Sequence, residues 1–170
     1  PHSTIHPPSS DGHGAGKSAL TALAEAGALA DARLDLEGTL GQGGMGVVRL
    51  GTQRSLGRKV AVKTLLPEHR HDRAVTKLLR EAWITSSLEH PNILPVHDLV
   101  VDELGMPLVI LKRIEGIDWS EVIADAAAVR ERFGEEALEH GLGVLMQVCR
   151  AISFAHSRGI VHRDLKPENI

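Results

Sequence analysis

The sequence predicts an α+β fold. Three observations carry this. Short apolar runs flank a glycine cluster at 41–46, as strands flank a turn. The run at 68–89 repeats its apolar residues with a helical period, and a second helical pattern occupies 142–158. Strands and helices in irregular succession, within 170 residues, read as one domain or slightly more.

Residues 1–18, PHSTIHPPSSDGHGAGKS, hold too few apolar side chains to offset chain entropy and are expected to be disordered. Residues 19–31 are rich in Ala and Leu and suit a short helix, so 1–32 together read as a disordered or partly helical extension. A secretory leader is the other reading of this stretch, with Lys17 ahead of an apolar run, but Glu25 interrupts it. A chain that opens on Pro1 is expected to be a piece of a longer product.

From Arg33 the pattern changes. Leu34, Leu36 and Leu40 precede the glycines, and Val47, Val48 and Leu50 follow them, giving two strands. Val60–Lys63 forms a third. Val75, Leu78, Leu79 and Ala82 then fall on one helix face, and Pro91 is expected to end that helix. Ile93–Val101 and Pro107–Ile114 read as two more strands around a Glu103-Leu104-Gly105 turn. Asp118 followed by Glu121 has the form of a helix cap with its partner. A last helix carries Leu142, Leu145, Cys149, Ile152 and Phe154 and stops at Gly159.

Composition excludes several functions. Lys plus Arg is 19 and Asp plus Glu is 22, a formal charge of −3 without a basic block, which argues against nucleic acid as partner. Cys149 is the only cysteine, so there is no internal disulfide and no Cys-based zinc finger, and a reducing compartment fits. No stretch approaches the ~18 apolar residues of a membrane span, so no membrane contact is expected from this segment. With Trp83, Trp119, Phe133 and Phe154 as the only Trp or Phe and no Tyr, the core must come from Leu, Ile, Val and Ala.

Gly41-Gln42-Gly43-Gly44-Met45-Gly46-Val47-Val48 contains G-x-G-x-x-G-x-V. Glycines let backbone amides approach phosphate oxygens, yet a plain hairpin turn uses the same letters. A dinucleotide fingerprint, as in an oxidoreductase, would open a helix, whereas the residues after Gly46 are strand-like. Lys63 ends an apolar strand, where its ammonium either neutralises phosphate or snorkels to solvent. Glu81, beside Leu78 and Ala82, either faces inward toward a cation such as Lys63 or is an ordinary exposed helix glutamate.

The most specific segment is His162-Arg163-Asp164-Leu165-Lys166-Pro167-Glu168-Asn169. H-R-D with N at this spacing arises by chance in about one chain in a thousand of this size. Asp164 can accept or orient a hydroxyl proton, Lys166 can stabilise phosphate charge, and the Asn169 amide oxygen suits Mg²⁺.

With these motifs in order, residues 33–170 resemble the first half of a protein kinase catalytic domain, of the Ser/Thr class and similar to the eukaryotic-like kinases of bacteria. The resemblance implies an N-terminal lobe of antiparallel sheet plus one helix at about 33–114, then the start of a helical C-terminal lobe at about 115–170, truncated. It implies ATP and Mg²⁺ as cofactors and a protein with Ser or Thr as substrate. Gly41, Gly43 and Gly46 would cover the ATP phosphates, and Leu40, Val48 and Ala61 would sandwich the adenine. Lys63 would hold the α- and β-phosphates and pair with Glu81. Leu111, Lys112, Arg113 and Ile114 would form the gatekeeper and hinge, with Glu115 near the ribose. Asp164 would be the catalytic base, Lys166 the γ-phosphate contact and Asn169 the metal ligand. Arg163 implies control by activation-loop phosphorylation, while His90 and Asn92 match a structural loop.

The family's Asp-Phe-Gly magnesium motif does not occur in these residues, so they are expected to be inactive on their own. The helix at 142–158 would leave Leu145, Val148 and Ile152 partly uncovered. A pseudokinase or ATP-binding scaffold is the alternative, against which Lys63, Glu81, Asp164 and Asn169 all stand. A cytoplasmic location is expected. Two further patterns are set aside. GHGAGKS at 12–18 has Asp11 in place of the first P-loop glycine, and His69 with His71 lacks a third metal ligand nearby.

Overall fold

The computed structural model describes residues 15–25, 34–134 and 136–170. They form two units. One contains the chain through Ser87 together with Leu94–Ile114, and the other contains Leu88–Ile93 together with Glu115–Ile170.

The first unit is built on an antiparallel sheet of β1 (Leu34–Gln42), β2 (Gly46–Gln53), β3 (Arg58–Leu65), β4 (Val96–Val101) and β5 (Pro107–Lys112). Its strand order is β1-β2-β3-β5-β4. Side chains alternate across a strand, so β3 divides its residues between two faces. Val60 and Val62 join Leu34, Val100, Leu108 and Ile110 in one core. Leu65 faces the other way and packs with Val101 and Val109 under the helices. Those helices are α1 (Ala15–Glu25) and α2 (Asp72–Ser86). Residues 15–18, placed by composition in the disordered stretch, form the first turn of α1. The expectations for 1–14 and 26–33 fall outside the described residues.

Helix α2 starts where His71 caps it, its Nδ1 accepting from the Ala74 N–H at 3.3 Å. Ala74, Val75, Leu78, Leu79 and Ala82 are buried, the face expected from the periodicity. Pro91 does not end the helix, which stops at Ser86. The Ser86 and Ser87 hydroxyls donate to the carbonyls of Trp83 and Ile84 at 2.9 and 2.7 Å, and the Ser87 N–H is shared between the same two carbonyls at 3.2 Å, which closes the last turn. Strand β4 likewise begins at Val96, later than expected, because Pro95 has no N–H to offer a ladder. The Pro95 carbonyl instead accepts from Lys112 N–H at 3.1 Å. Asp102 shapes the β4–β5 turn, its carboxylate accepting from the Leu104 and Met106 N–H groups at 2.9 and 2.8 Å.

The second unit is helical, with α3 (Trp119–Ala124), α4 (Ala126–Phe133) and α5 (Ala137–Ser157). Asp118 caps α3 as expected, accepting from the Glu121 N–H at 3.2 Å. Helix α4 was not foreseen, although Asp125 accepts from Ala127 N–H at 3.0 Å just ahead of its alanines. Gly159, at φ 72°, takes the left-handed conformation that lets the chain leave α5, with Ile160 N–H returning to the Ala155 carbonyl at 3.0 Å. The loop from Leu88 to Ile93 packs on α5. Asn92 Nδ2 donates to Gln147 Oε1 at 2.8 Å, and the His90 ring lies 5.2 Å from that of Phe154.

Candidate functional site

The sheet register gathers the first group of predicted site residues. Gly41 pairs with Val48, Val48 with Lys63, and Lys63 with Val109. One step along, Ala61 pairs with Leu111. Directly paired residues share a face, as do residues two apart on a strand. Val48, Ala61, Lys63 and Leu111 therefore lie on one face, the face on which α2 packs through Val109 and Leu111. Leu40 sits at a register shift between Thr39 and Gly41 and is half exposed.

The glycine loop is closed by Gly43 N–H donating to the Gly46 carbonyl at 2.9 Å. At Gly41 and Gly43 an added Cβ would meet nothing, so there the backbone stands open to an approaching group. At Gly46 the reason for glycine is internal. A Cβ there would lie 2.7 Å from the Thr64 carbonyl oxygen of the paired strand. Sequence reading assigned Gly46 to the loop alone. The close approach of β2 to β3 had no signal in the letters.

Lys63 Nζ meets Glu81 Oε1 at 2.5 Å, joining β3 to α2. The lysine side chain is 33% exposed and the glutamate 52%, so the pair is accessible to a ligand. Lys112 is the last residue of β5, and Arg113 and Ile114 follow it, with Ile114 65% exposed.

The second group is Asp164, Lys166 and Asn169, all exposed on the segment after α5. Pro167–Asn169 form a short 3₁₀ turn that brings Asn169 back to Asp164. Asn169 Nδ2 donates to the Asp164 carbonyl at 2.8 Å and to its Oδ2 at 3.2 Å. The amide nitrogen is thereby committed to Asp164, which leaves the amide oxygen as the group to offer a cation. Arg163, at φ 65°, is the only non-glycine residue with positive φ among the described residues. Such a conformation is uncommon and is held by its surroundings, here by Asp164 N–H on His162 Nδ1 at 3.3 Å. The segment is anchored where Trp119 N–H donates to the Ile170 carbonyl at 2.9 Å. Glu115 is exposed in this unit.

Chemically, the first group offers an ammonium held by a carboxylate beside an open glycine backbone. The second offers an accessible carboxylate, an ammonium and an amide oxygen. Among the described residues no three His, Cys, Asp or Glu gather as a metal site. The Asn169 amide oxygen is a hard donor of the kind a divalent cation would take. His71 is engaged as the α2 cap, which counts against a His69–His71 metal pair.

The family model described as protein kinase domain matches residues 34–170. A probable serine/threonine-protein kinase of Streptomyces coelicolor is 34% identical over 142 residues, which are 81% of this chain and 20% of that protein. Calcium/calmodulin-dependent protein kinase type II of Caenorhabditis elegans is 36% identical over 80% of this chain and 18% of its own length. Serine/threonine-protein kinase PknA of Mycobacterium tuberculosis is 35% identical over 81% of this chain and 32% of its own. The chain thus spans a third or less of each of these relatives.

Proposed function

Because the chain belongs to the protein kinase domain family, we propose that it serves ATP-dependent phosphorylation of serine and threonine hydroxyls in a protein substrate. The observation that most supports this is the Lys63–Glu81 contact, on the sheet face that also carries Val48, Ala61 and Leu111. An ammonium fixed by a carboxylate beside an apolar strip suits a nucleotide whose base is apolar on both faces and whose phosphates are anionic.

In this reading Leu40, Val48 and Ala61 hold the adenine, and Leu111, Lys112, Arg113 and Ile114 form its hinge, with Glu115 at the ribose. Gly41, Gly43 and Gly46 cover the phosphates, and Lys63 binds the α- and β-phosphates. Asp164 takes the proton from the attacking hydroxyl. The hydroxyl oxygen bonds to the γ-phosphorus as the bond to ADP breaks, and Lys166 carries part of the charge on the transferring group. Asn169 would help hold Mg²⁺, which neutralises phosphate charge when bound. Most of the acceleration comes from orientation and charge neutralisation.

We expect an ATP-using domain to work where ATP is supplied, and we propose the cytoplasm for this one. No helix among the described residues is long and apolar enough to cross a membrane. Residues 1–170 contain no Asp-Phe-Gly, and on their own they should turn over far below the ~1–100 s⁻¹ of kinases. The scaffold alternative predicts binding without turnover. The test is phosphate transfer by the full-length protein to serine, threonine and tyrosine peptides, with Lys63→Met and Asp164→Asn alongside. Transfer to serine or threonine that falls about 10²–10⁴-fold in each variant supports the reading. Equal activity in the wild type and Asp164→Asn contradicts it.

A further inference from the structure

We infer that α1 clamps α2, and that Ala19, Leu20 and Leu23 are positioning residues that keep Glu81 where it meets Lys63. The inference rests on the kinase reading for its consequence, and on packing for its geometry. Helix α1 lies ahead of residues 34–170, so it is an addition to the part that matches the family.

The Lys63–Glu81 pair cannot fix α2 by itself. Both side chains are partly exposed, and ion pairs in that setting contribute little because water competes and two long side chains must be ordered. The position of α2 is set by its apolar face. That face, Ala74, Val75, Leu78, Leu79 and Ala82, lies in a core of ten buried residues. The sheet supplies Leu65, Val101 and Val109, and α1 supplies the remaining two, Ala19 and Leu23. Leu20 packs against the same core, and Ser18 and Thr21 are exposed on the other side of α1. Ala19 and Leu23 are 9% and 6% exposed, and at i and i+4 they present one stripe to α2 and β4.

An isolated helix of 11 residues is marginal in water, so α1 owes its helicity to this docking. Docking of α1 and placement of α2 are therefore one linked equilibrium. Loosening α1 removes part of the wall behind α2, and Glu81 drifts from Lys63. The ammonium then holds phosphate less well.

The test uses the full-length protein with Leu23→Asp, the milder Leu23→Ala, and Ser18→Asp as a charge control on the exposed side. Steady-state phosphate transfer is measured as a function of ATP, and hydrogen exchange is followed in α2 and β5. We expect KM for ATP to rise about fivefold or more in Leu23→Asp, and less in Leu23→Ala. Exchange should quicken about tenfold in α2 while β5 keeps its protection, and Ser18→Asp should match the wild type. Loss of kcat with unchanged KM, accompanied by lost protection in β5 as well, would mean that α1 only adds stability and overturns the clamp. So would Leu23 variants that behave as the wild type does. Should Leu23→Asp fail to fold, Leu23→Ala decides by the same two readouts. A wild-type protein that transfers no phosphate sinks the kinase reading instead. The exchange arm then decides alone, and unchanged α2 exchange in the Leu23 variants overturns the clamp.

Discussion

Leu79, Val60 and Val100 lose all exposure in the first unit, whereas Leu138 in the second keeps 76% of its own. The contrast extends to whole elements. In the first unit a sheet packs two cores, one of them against α1 and α2, while Leu56 and Leu104 stay exposed outside both. In the second, only Val129, Ala151 and Ala155 are buried apolar residues among those described, and Leu142, Leu145 and Met146 are half exposed along α5. The residues expected to be partly uncovered are so, with Leu145 open and Val148 and Ile152 half-buried. The lesson is about division of labour. The unit bearing Lys63 and Glu81 contains the packing that holds them. In the unit bearing Asp164 and Asn169, the loop is held by local hydrogen bonds and one anchor to α3.

The largest expected effect comes from breaking the better-packed side. Leu79→Ala should cost about 2–5 kcal/mol, the range for emptying a closed core site, as read by chemical denaturation of the first unit. On the other side, Leu145→Glu should change stability by much less, about 0.5 kcal/mol, because the residue is already half exposed. It should instead lower self-association and hydrophobic-dye binding of residues 1–170, which we expect to be high. A loss from Leu145→Glu as large as that from Leu79→Ala would erase the comparison.

The smallest effect concerns the cap of α3. The Ser120 hydroxyl and the backbone N–H groups of Glu121 and Ser120 hold the Asp118 carboxyl below the usual aspartate range. A depressed carboxyl contributes stability that is present above its unfolded value and is lost as pH falls through its folded value. Hydrogen exchange in α3, taken relative to the unfolded-chain rate at each pH, should therefore quicken at acid pH. Asp118→Ala should quicken it about two- to tenfold at neutral pH and remove that acid dependence.

How far the letters led differs between the units for physical reasons. The α2 face was legible because a 3.6-residue period repeats through Val75, Leu78, Leu79 and Ala82. The Lys63–Glu81 pair was legible only through the kinase resemblance, because the residues alone left Glu81 open between an inward and an exposed carboxylate, and it is 52% exposed. The row from Gly41 through Val48 and Lys63 to Val109 was not, because register depends on partner strands and on the bulges in β1. The end of α2 was misplaced because the Ser87 N–H and two serine hydroxyls, not Pro91, close the last turn on Trp83 and Ile84. Helix α4 was missed although its cap, Asp125, precedes three alanines, a weak local signal without apolar spacing to reinforce it. The Asp164–Asn169 link lies within one short motif, where spacing alone brings the two together.

The central claim is that Asp164 acts on the reacting hydroxyl while Lys63 holds the nucleotide. The most direct measurement is ATP affinity and single-turnover phosphate transfer on the full-length protein carrying Asp164→Asn. ATP binding within about twofold of the wild type, with transfer slowed at least ~10²-fold, is the expected result. Transfer at the wild-type rate, or a loss of ATP binding large enough to explain the slowing, would contradict the role given to Asp164.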